Sequence, residues 1–365
     1  MVAREPSAEK ASAIAKTAAP ALLRWYDANR RHLPWRSDGM TKPDPYRVWL
    51  SEIMLQQTTV RTVIPYYGAF TTRFPTLKHL AEAPLESVLQ SWAGLGYYSR
   101  GRNLHACAIR VLNDFGGVFP ADEAALRTLP GIGPYTAAAI VAIAFNQRAL
   151  VIDGNVERVL SRLFCVEEPL PKAKPLFHTL ADTITPSKRP GDFAQAMMDL
   201  GATICTPRSP SCDLCPLASL CTARQAGTME RYPLKAPKAK QVNRFGAAFL
   251  ATRPDGAVLL RTRPEKGLLG GMTEVPSTDF TLESKPVDHA RSAPLAANWR
   301  KHPVPVEHVF THFRLALTVY AASVPLETAA PPGMRWTERA HLQHEALPTL
   351  FRKVLAHPPK SSVSV

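Results

Sequence analysis

The stretch LPGIGPYTAAAI, Leu129 to Ile140, decides how this chain is read. Gly131 and Gly133 flank an isoleucine, Pro134 stands where a helix would begin, and a run of small residues follows. Glycine allows backbone conformations closed to other residues and keeps side chains off the surface. The helix that follows offers free N–H groups and the positive end of its dipole, an anion site suited to a backbone phosphate. Just upstream, ADEAALRT reads as a short helix, so the unit is a helix, a hairpin and a second helix. Alone, a GxG turn serves equally well as a plain helix connection.

Working outward, the 365 residues predict two domains, and 45% hydrophobic content is enough to bury real cores. The net charge of +14 favours a polyanionic partner, of which nucleic acid is the commonest. No apolar run reaches the roughly 18 residues of a membrane helix. The N-terminus carries Glu5 and Glu9 and makes a poor signal peptide. It reads as a short loose tail on a cytoplasmic protein with reduced thiols.

Six cysteines in such a chain argue for metal or chemistry over disulfides. Cys107 and Cys165 sit alone on apolar helical patterns and read as small buried residues. The other four crowd into CTPRSPSCDLCPLASLC as Cys205, Cys212, Cys215 and Cys221. Structural zinc usually uses two separated C-x2-C pairs, and only one is present. Four cysteines without histidine at this spacing suit a [4Fe–4S] cluster better. The intervening TPRSPS presents Arg208 to solvent and to phosphate.

Residues 1–225 read as helices joined by short loops. After Cys221 the pattern changes: residues 226–243 are rich in proline and lysine and read as a linker. Residues 244–365 hold the strand-like runs RFGAAFLATR, GAVLLRTR and FRLALTVYAASV and a helix at LPTLFRKVLA. The expected fold is therefore an all-α domain followed by a smaller α+β domain. Two acids stand out in the first. Asp153 in VIDGNVERVL is placed to cap a helix, which is the ordinary use of such an Asp. Glu52 is a lone acid in the apolar helix WLSEIMLQQT, and an interior position there would raise its pKa.

Together, LPWR, WLSEIMLQQTTV, GLGYYSRGRNLH, LPGIGPYTA, DGNVERVL, QAMMDLGATIC and the cysteine loop resemble the endonuclease III superfamily of base-excision DNA glycosylases, and within it the MutY-type family. The last third is similar to that family's MutT-like Nudix domain but lacks the R-E-x-x-E-E hydrolase signature, so it is read as a recognition module. The resemblance implies removal of adenine mispaired with 8-oxoguanine or guanine in double-stranded DNA, after the base is flipped into a pocket. It implies that Glu52 protonates the adenine, that Asp153 stabilises the sugar cation or bonds to it, and that Asn155 orients Asp153 or a water. Tyr135 stands where bifunctional relatives carry a Schiff-base lysine, which predicts base removal without strand scission. Its hydroxyl is expected to hydrogen-bond Asp153.

By the same resemblance, Gln57 and Tyr97 enter the base stack, Gly131, Gly133 and Arg208 hold the backbone, and Arg36, Leu55 and Thr58 surround the adenine pocket and the oxidised guanine. Phe310, Thr311 and His312 stand where the family probes 8-oxoguanine. Thr311 replaces a serine and Thr273 a frequent aromatic. The implied protein is a bacterial, cytoplasmic, DNA-associated monomer with a [4Fe–4S] cluster. Two other readings remain open: an endonuclease III-like glycosylase and lyase, and a non-catalytic iron–sulfur DNA-binding protein.

Overall fold

A computed structural model describes residues 8–37, 41–237, 241–283 and 289–357; the first seven residues, read as a tail, lie outside them. The chain divides into two compact units: Met1–Glu82 with Ala106–Lys238, and Ala83–His105 with Ala239–Val365.

In chain order the helices begin with α1 (Ala8–Asn29), α2 (Pro45–Leu55), α3 (Val60–Arg73), α4 (Leu77–Glu82), α5 (Leu85–Trp92) and α6 (Ser99–Asp114). They continue with α7 (Glu123–Arg127), α8 (Pro134–Phe145), α9 (Gly154–Phe164), α10 (Lys174–Ile184), α11 (Pro190–Thr203) and α12 (Thr222–Gln225). Their starts follow local chemistry. Asp44, Thr59, Asp122 and Asp153 each accept backbone N–H bonds from the first turn they precede. Pro45 and Pro134 occupy first-turn positions, where a missing N–H costs nothing.

The core of the first unit is built from Ile14, Leu22 and Tyr26 of α1, Val156, Leu160 and Leu163 of α9, Phe177 of α10, and Phe193, Met197 and Leu200 of α11. Small residues set the closest crossings. Ala137, Ala138, Ala139 and Ala142 bury the waist of α8. Gly191 of α11 lies so near α8 that a Cβ there would strike the Ala142 carbonyl oxygen. Gly201, at the other end of α11, would place a Cβ 2.6 Å from Cβ of Asn155. Part of the stretch read as a linker packs on these helices: Tyr232 is buried with Cys165 and Ala223, and Leu170 N–H donates to the Leu234 carbonyl at 2.9 Å.

The second unit holds a seven-stranded mixed sheet of β1 (Val242–Thr252), β2 (Val258–Thr262), β3 (Thr273–Glu274), β4 (Arg300–Lys301), β5 (Val306–Val309), β6 (Phe313–Ser323) and β7 (Met334–Thr337). Its path runs β3-β2-β1-β6-β4, with β5 beside β6 and β7 beside β2. β1 and β6 pair in parallel over their whole length, from Val242 against Phe313 to Thr252 against Ser323. One face packs on Leu350, Phe351 and Val354 of α14 (Thr349–Leu355); the other carries Phe249, Tyr320 and Trp299. A short helix, α13 (His289–Ser292), comes between β3 and β4 in the chain. The three expected strands and the final helix are present. The two- to four-residue strands β3, β4, β5 and β7 escaped the sequence because they are too short to show alternation.

Within this unit Glu274 is fully buried and paired with Arg261 at 2.6 Å and with Arg263. The segment 83–105 belongs here too: the Gln90 side-chain amide donates to the His344 carbonyl, and Arg102 donates to that of Gly270. Gly191→Ala is expected to destabilise the first unit by about 1–3 kcal/mol, because the crossing of α8 and α11 must open to admit a methyl group. Chemical denaturation followed by helix signal measures this.

Candidate active site

Helix α2 is buried nearly all round, and it takes Glu52 inside with it, 6% exposed between Ser51 and Ile53. One neutral donor meets the carboxyl: the Tyr135 hydroxyl donates to Glu52 Oε2 at 2.8 Å. Burial is the main cause that pushes the Glu52 carboxyl up to about 7. The Tyr135 hydrogen bond and the Arg36 charge oppose the rise, and the Asp153 charge adds to it. Near neutral pH this acid is therefore populated both with and without its proton. Burial and the two carboxylates hold the Tyr135 phenol well above its ordinary value, so it stays a neutral donor.

The expected bond from Tyr135 to Asp153 is not formed, and the reason is local. Asp153 caps α9, and its carboxylate is turned onto its own helix. Oδ1 accepts from the N–H groups of Asn155 (2.9 Å) and Val156 (2.8 Å), and Oδ2 accepts from Asn155 Nδ2 at 2.7 Å. Tyr135, at the start of α8, faces α2 instead. Asn155 is thus hydrogen-bonded to Asp153, and it is held in turn. Arg158 Nη2 donates to Asn155 Oδ1 at 2.9 Å and to the Gly201 carbonyl at 2.7 Å, while Arg158 Nε donates to the Cys205 carbonyl at 2.8 Å. Arg158 escaped the sequence reading, although it lies three residues after Asn155, the spacing of neighbours on a helix face.

A narrow cavity opens on Glu52. Its lining includes Trp35, Arg36, Leu55, Gln195 and Met198. Arg36 and Leu55 line this cavity, and Thr58 is not among its lining residues. Arg36 forks onto Asp199 at 2.7 and 2.8 Å, and Arg31 adds Nε at 2.6 Å on the same carboxylate, which is fully buried. This triad fixes the cavity wall and leaves Arg36 little freedom. Gln195 and Met198 follow from the helical period of α11 but carry no signal of their own.

Two of the residues that the resemblance assigns to DNA share a backbone trait. Gln57 and Tyr97 are exposed and left-handed, with φ of 56° and 47°, and Ser209 beside Arg208 has φ of 46°. Such conformations are uncommon without glycine and concentrate at functional sites. Ser209 N–H is held by Glu230 Oε1 at 2.6 Å, which shapes the exposed turn carrying Arg208. In the hairpin Gly131 takes φ of 75°, which only glycine adopts freely, whereas Gly133 is extended and serves by leaving the surface open. Thr311 and His312 are exposed between β5 and β6, with the Thr311 hydroxyl 3.3 Å from that of Tyr97. Phe310 stacks on Phe313, ring centroids 4.6 Å apart. Thr273 is buried, donating to Glu345 at 2.8 Å and accepting from Arg335 at 3.2 Å, a polar knot with no room for an aromatic ring.

Cys205, Cys212, Cys215 and Cys221 interact electrostatically with one another. Burial first, then the neighbouring sulfurs, push the Cys215 thiol up to about 12 and that of Cys221 to about 11. Among the described residues, no three His, Cys, Asp or Glu side chains converge closely enough for a single metal ion. Four cysteine sulfurs, soft donors with no histidine among them, are the ligand chemistry of an iron–sulfur cluster.

Comparison with known proteins agrees. A model of the HhH-GPD superfamily base excision DNA repair proteins matches residues 50–184, the iron-sulfur binding domain of endonuclease III matches 205–221, and a NUDIX domain matches 247–357. The chain is 37% identical to the adenine DNA glycosylase of Homo sapiens, over 91% of this chain and 72% of that protein. It is 32% identical to that of Buchnera aphidicola from Acyrthosiphon pisum, over 92% and 95% of the two chains. A thermostable thymine-DNA glycosylase of known structure aligns with 60% of this chain and all of its own, at 31% identity and a TM-score of 0.54. With its helical glycosylase fold, its [4Fe–4S] cysteines and its Nudix-like sheet, the chain belongs to the adenine DNA glycosylases of base excision repair.

Proposed function

We propose that this protein removes adenine from double-stranded DNA where it is mispaired with 8-oxoguanine or guanine, and leaves an intact abasic site. The observation that carries the reading is Glu52, buried beside the cavity with its carboxyl pushed up to about 7 and within electrostatic reach of Asp153. A flipped adenine is a poor leaving group until protonated. The Glu52 proton passes to N7, and the electron pair of the C1′–N9 bond leaves with the base. Positive charge then develops on the sugar, where Asp153 stabilises it or bonds to it transiently. Water adds to C1′, and its proton returns to a carboxylate. Tyr135 holds Glu52 in place and has no amine to form an imine, so no strand scission follows. Cys205, Cys212, Cys215 and Cys221 would hold the [4Fe–4S] cluster, which when bound cross-links the loop carrying Arg208.

The division of labour runs with the chain: 1–225 for catalysis, 226–243 as linker, and 244–365 for reading the lesion through Phe310, Thr311 and His312. Gln57 and Tyr97 hold the duplex open, and Gly131, Gly133 and Arg208 grip its backbone. Arg36, Leu55 and Thr58 border the flipped base and its former partner. The protein acts as a cytoplasmic monomer. No helix among the described residues is long and apolar enough to cross a membrane.

A duplex with adenine opposite 8-oxoguanine tests the reaction class. Strand cleavage only after alkali is expected; cleavage without alkali would mean a lyase, and binding without base release a non-catalytic protein. Glu52→Gln and Asp153→Asn should each abolish measurable release in single-turnover assays. The wild-type rate should fall as pH rises through about 7, as Glu52 loses its proton. Tyr135→Phe removes a bond that lowers the Glu52 value, so that limb should move to higher pH.

Stability changes in the same window. The folded protein holds the Glu52 proton more tightly than the unfolded chain, whose ordinary value is 4.5. Native stability is therefore lost as pH rises from the ordinary value through the folded one. Relative to wild type, Glu52→Gln should gain on the order of 3 kcal/mol between pH about 4 and about 8, read from denaturation midpoints.

A further inference from the structure

Arg162 is the least explained charge in the helical unit. It is 1% exposed, and its partners are three carbonyls and a sulfur, with no carboxylate among the described residues. Nη1 donates to the Thr206 carbonyl at 2.7 Å and lies 3.3 Å from Cys205 Sγ. Nη2 donates to the Pro207 carbonyl at 3.0 Å, and Nε donates to that of Tyr232 at 3.3 Å. Its own carbonyl accepts from the Cys221 thiol at 3.4 Å. One side chain thus ties the segment after the first cysteine to the segment that follows the last.

A guanidinium removed from water and facing only neutral groups is strongly disfavoured. Hydrogen bonds to carbonyls satisfy its protons but leave its charge uncompensated. Four thiolates around an iron–sulfur core outweigh the positive charge of the core, so the loaded site is a buried anion of the kind Arg162 lacks. We propose that Arg162 is the buried counter-ion of the [4Fe–4S] cluster, and that its charge makes cluster occupancy and the folding of residues 205–232 a single event. With the cluster, the cation is compensated and supports the Cys205 sulfur. Without it, the same cation penalises the folded loop, and residues 205–232 have no stable state that is folded but empty. Arg158 differs in kind, since it is only partly buried and reaches the backbone of Cys205 and not its sulfur.

The test compares the full-length protein before and after removal of iron by chelator and reductant. It uses Arg162→Gln, which removes the charge but keeps an N–H donor, and Arg162→Lys, which keeps the charge. Loss of iron and of the absorbance at about 410 nm under chelation should be about tenfold faster in the Gln variant and close to wild type in the Lys variant. Melting should then change sign. The loaded Gln variant melts below loaded wild type, whereas the stripped Gln variant melts no lower than stripped wild type. A role in hydrogen bonding or packing alone would lower both forms together, and that result, or unchanged iron loss, would overturn the proposal. If the Gln variant is isolated without iron, the stripped forms and the Lys variant still decide: a Lys variant that loses iron as fast as a neutral one refutes it. None of these readings involves DNA, so failure here is distinct from failure of the adenine reaction.

Discussion

The carboxylate of Asp153 on the first turn of α9 is the bond from which the rest of the catalytic unit is organised. It closes the helix by accepting two backbone N–H groups and the Asn155 amide. Three and seven residues after Asn155, the same helix presents Arg158 and Arg162, which bind the backbone of residues 201–207 and of Tyr232. The closeness of Gly201 to Asn155 lets α11 approach without a collision. One helix therefore carries Asp153 at its N-terminus and the anchors of the cysteine loop along its side. A change in either can reach the other through rigid, hydrogen-bonded groups.

The second acid is governed by the opposite physics. Asp153 is satisfied by backbone dipoles, whereas Glu52 is surrounded by the apolar wall of α2 and receives one neutral hydroxyl. Burial thereby raises the proton affinity of Glu52, and the nearby charge of Asp153 adds to the rise. Tyr135 donates to Glu52, and that bond opposes the rise in the carboxyl's proton affinity.

In the second unit, polar networks beside the sheet surround Thr273, where the family often has an aromatic, and its neighbour Glu274. Thr273 belongs to the network of Glu345 and Arg335, and Glu274 is neutralised by Arg261 and Arg263. The Nudix-like frame is kept by side-chain chemistry of its own, while the turn at Thr311 and His312 is exposed.

By itself the sequence determined what depends on neighbours along the chain. The cysteine spacing, the glycine hairpin, the capping Asp153, the long strands and the family motifs are all local patterns, and the folded chain keeps them. Tertiary structure decided what depends on which surfaces meet. That Tyr135 serves Glu52 could not be read from its place beside Pro134, because the choice was made by the packing of α8 on α2 and by Asp153 turning onto its own helix. The same holds for Arg158 and Arg162, which look like any exposed arginines in a helical repeat until α11 and the loop after Cys205 fold across them. A buried charge takes its meaning from the groups that surround it, and those are supplied by segments more than forty residues away.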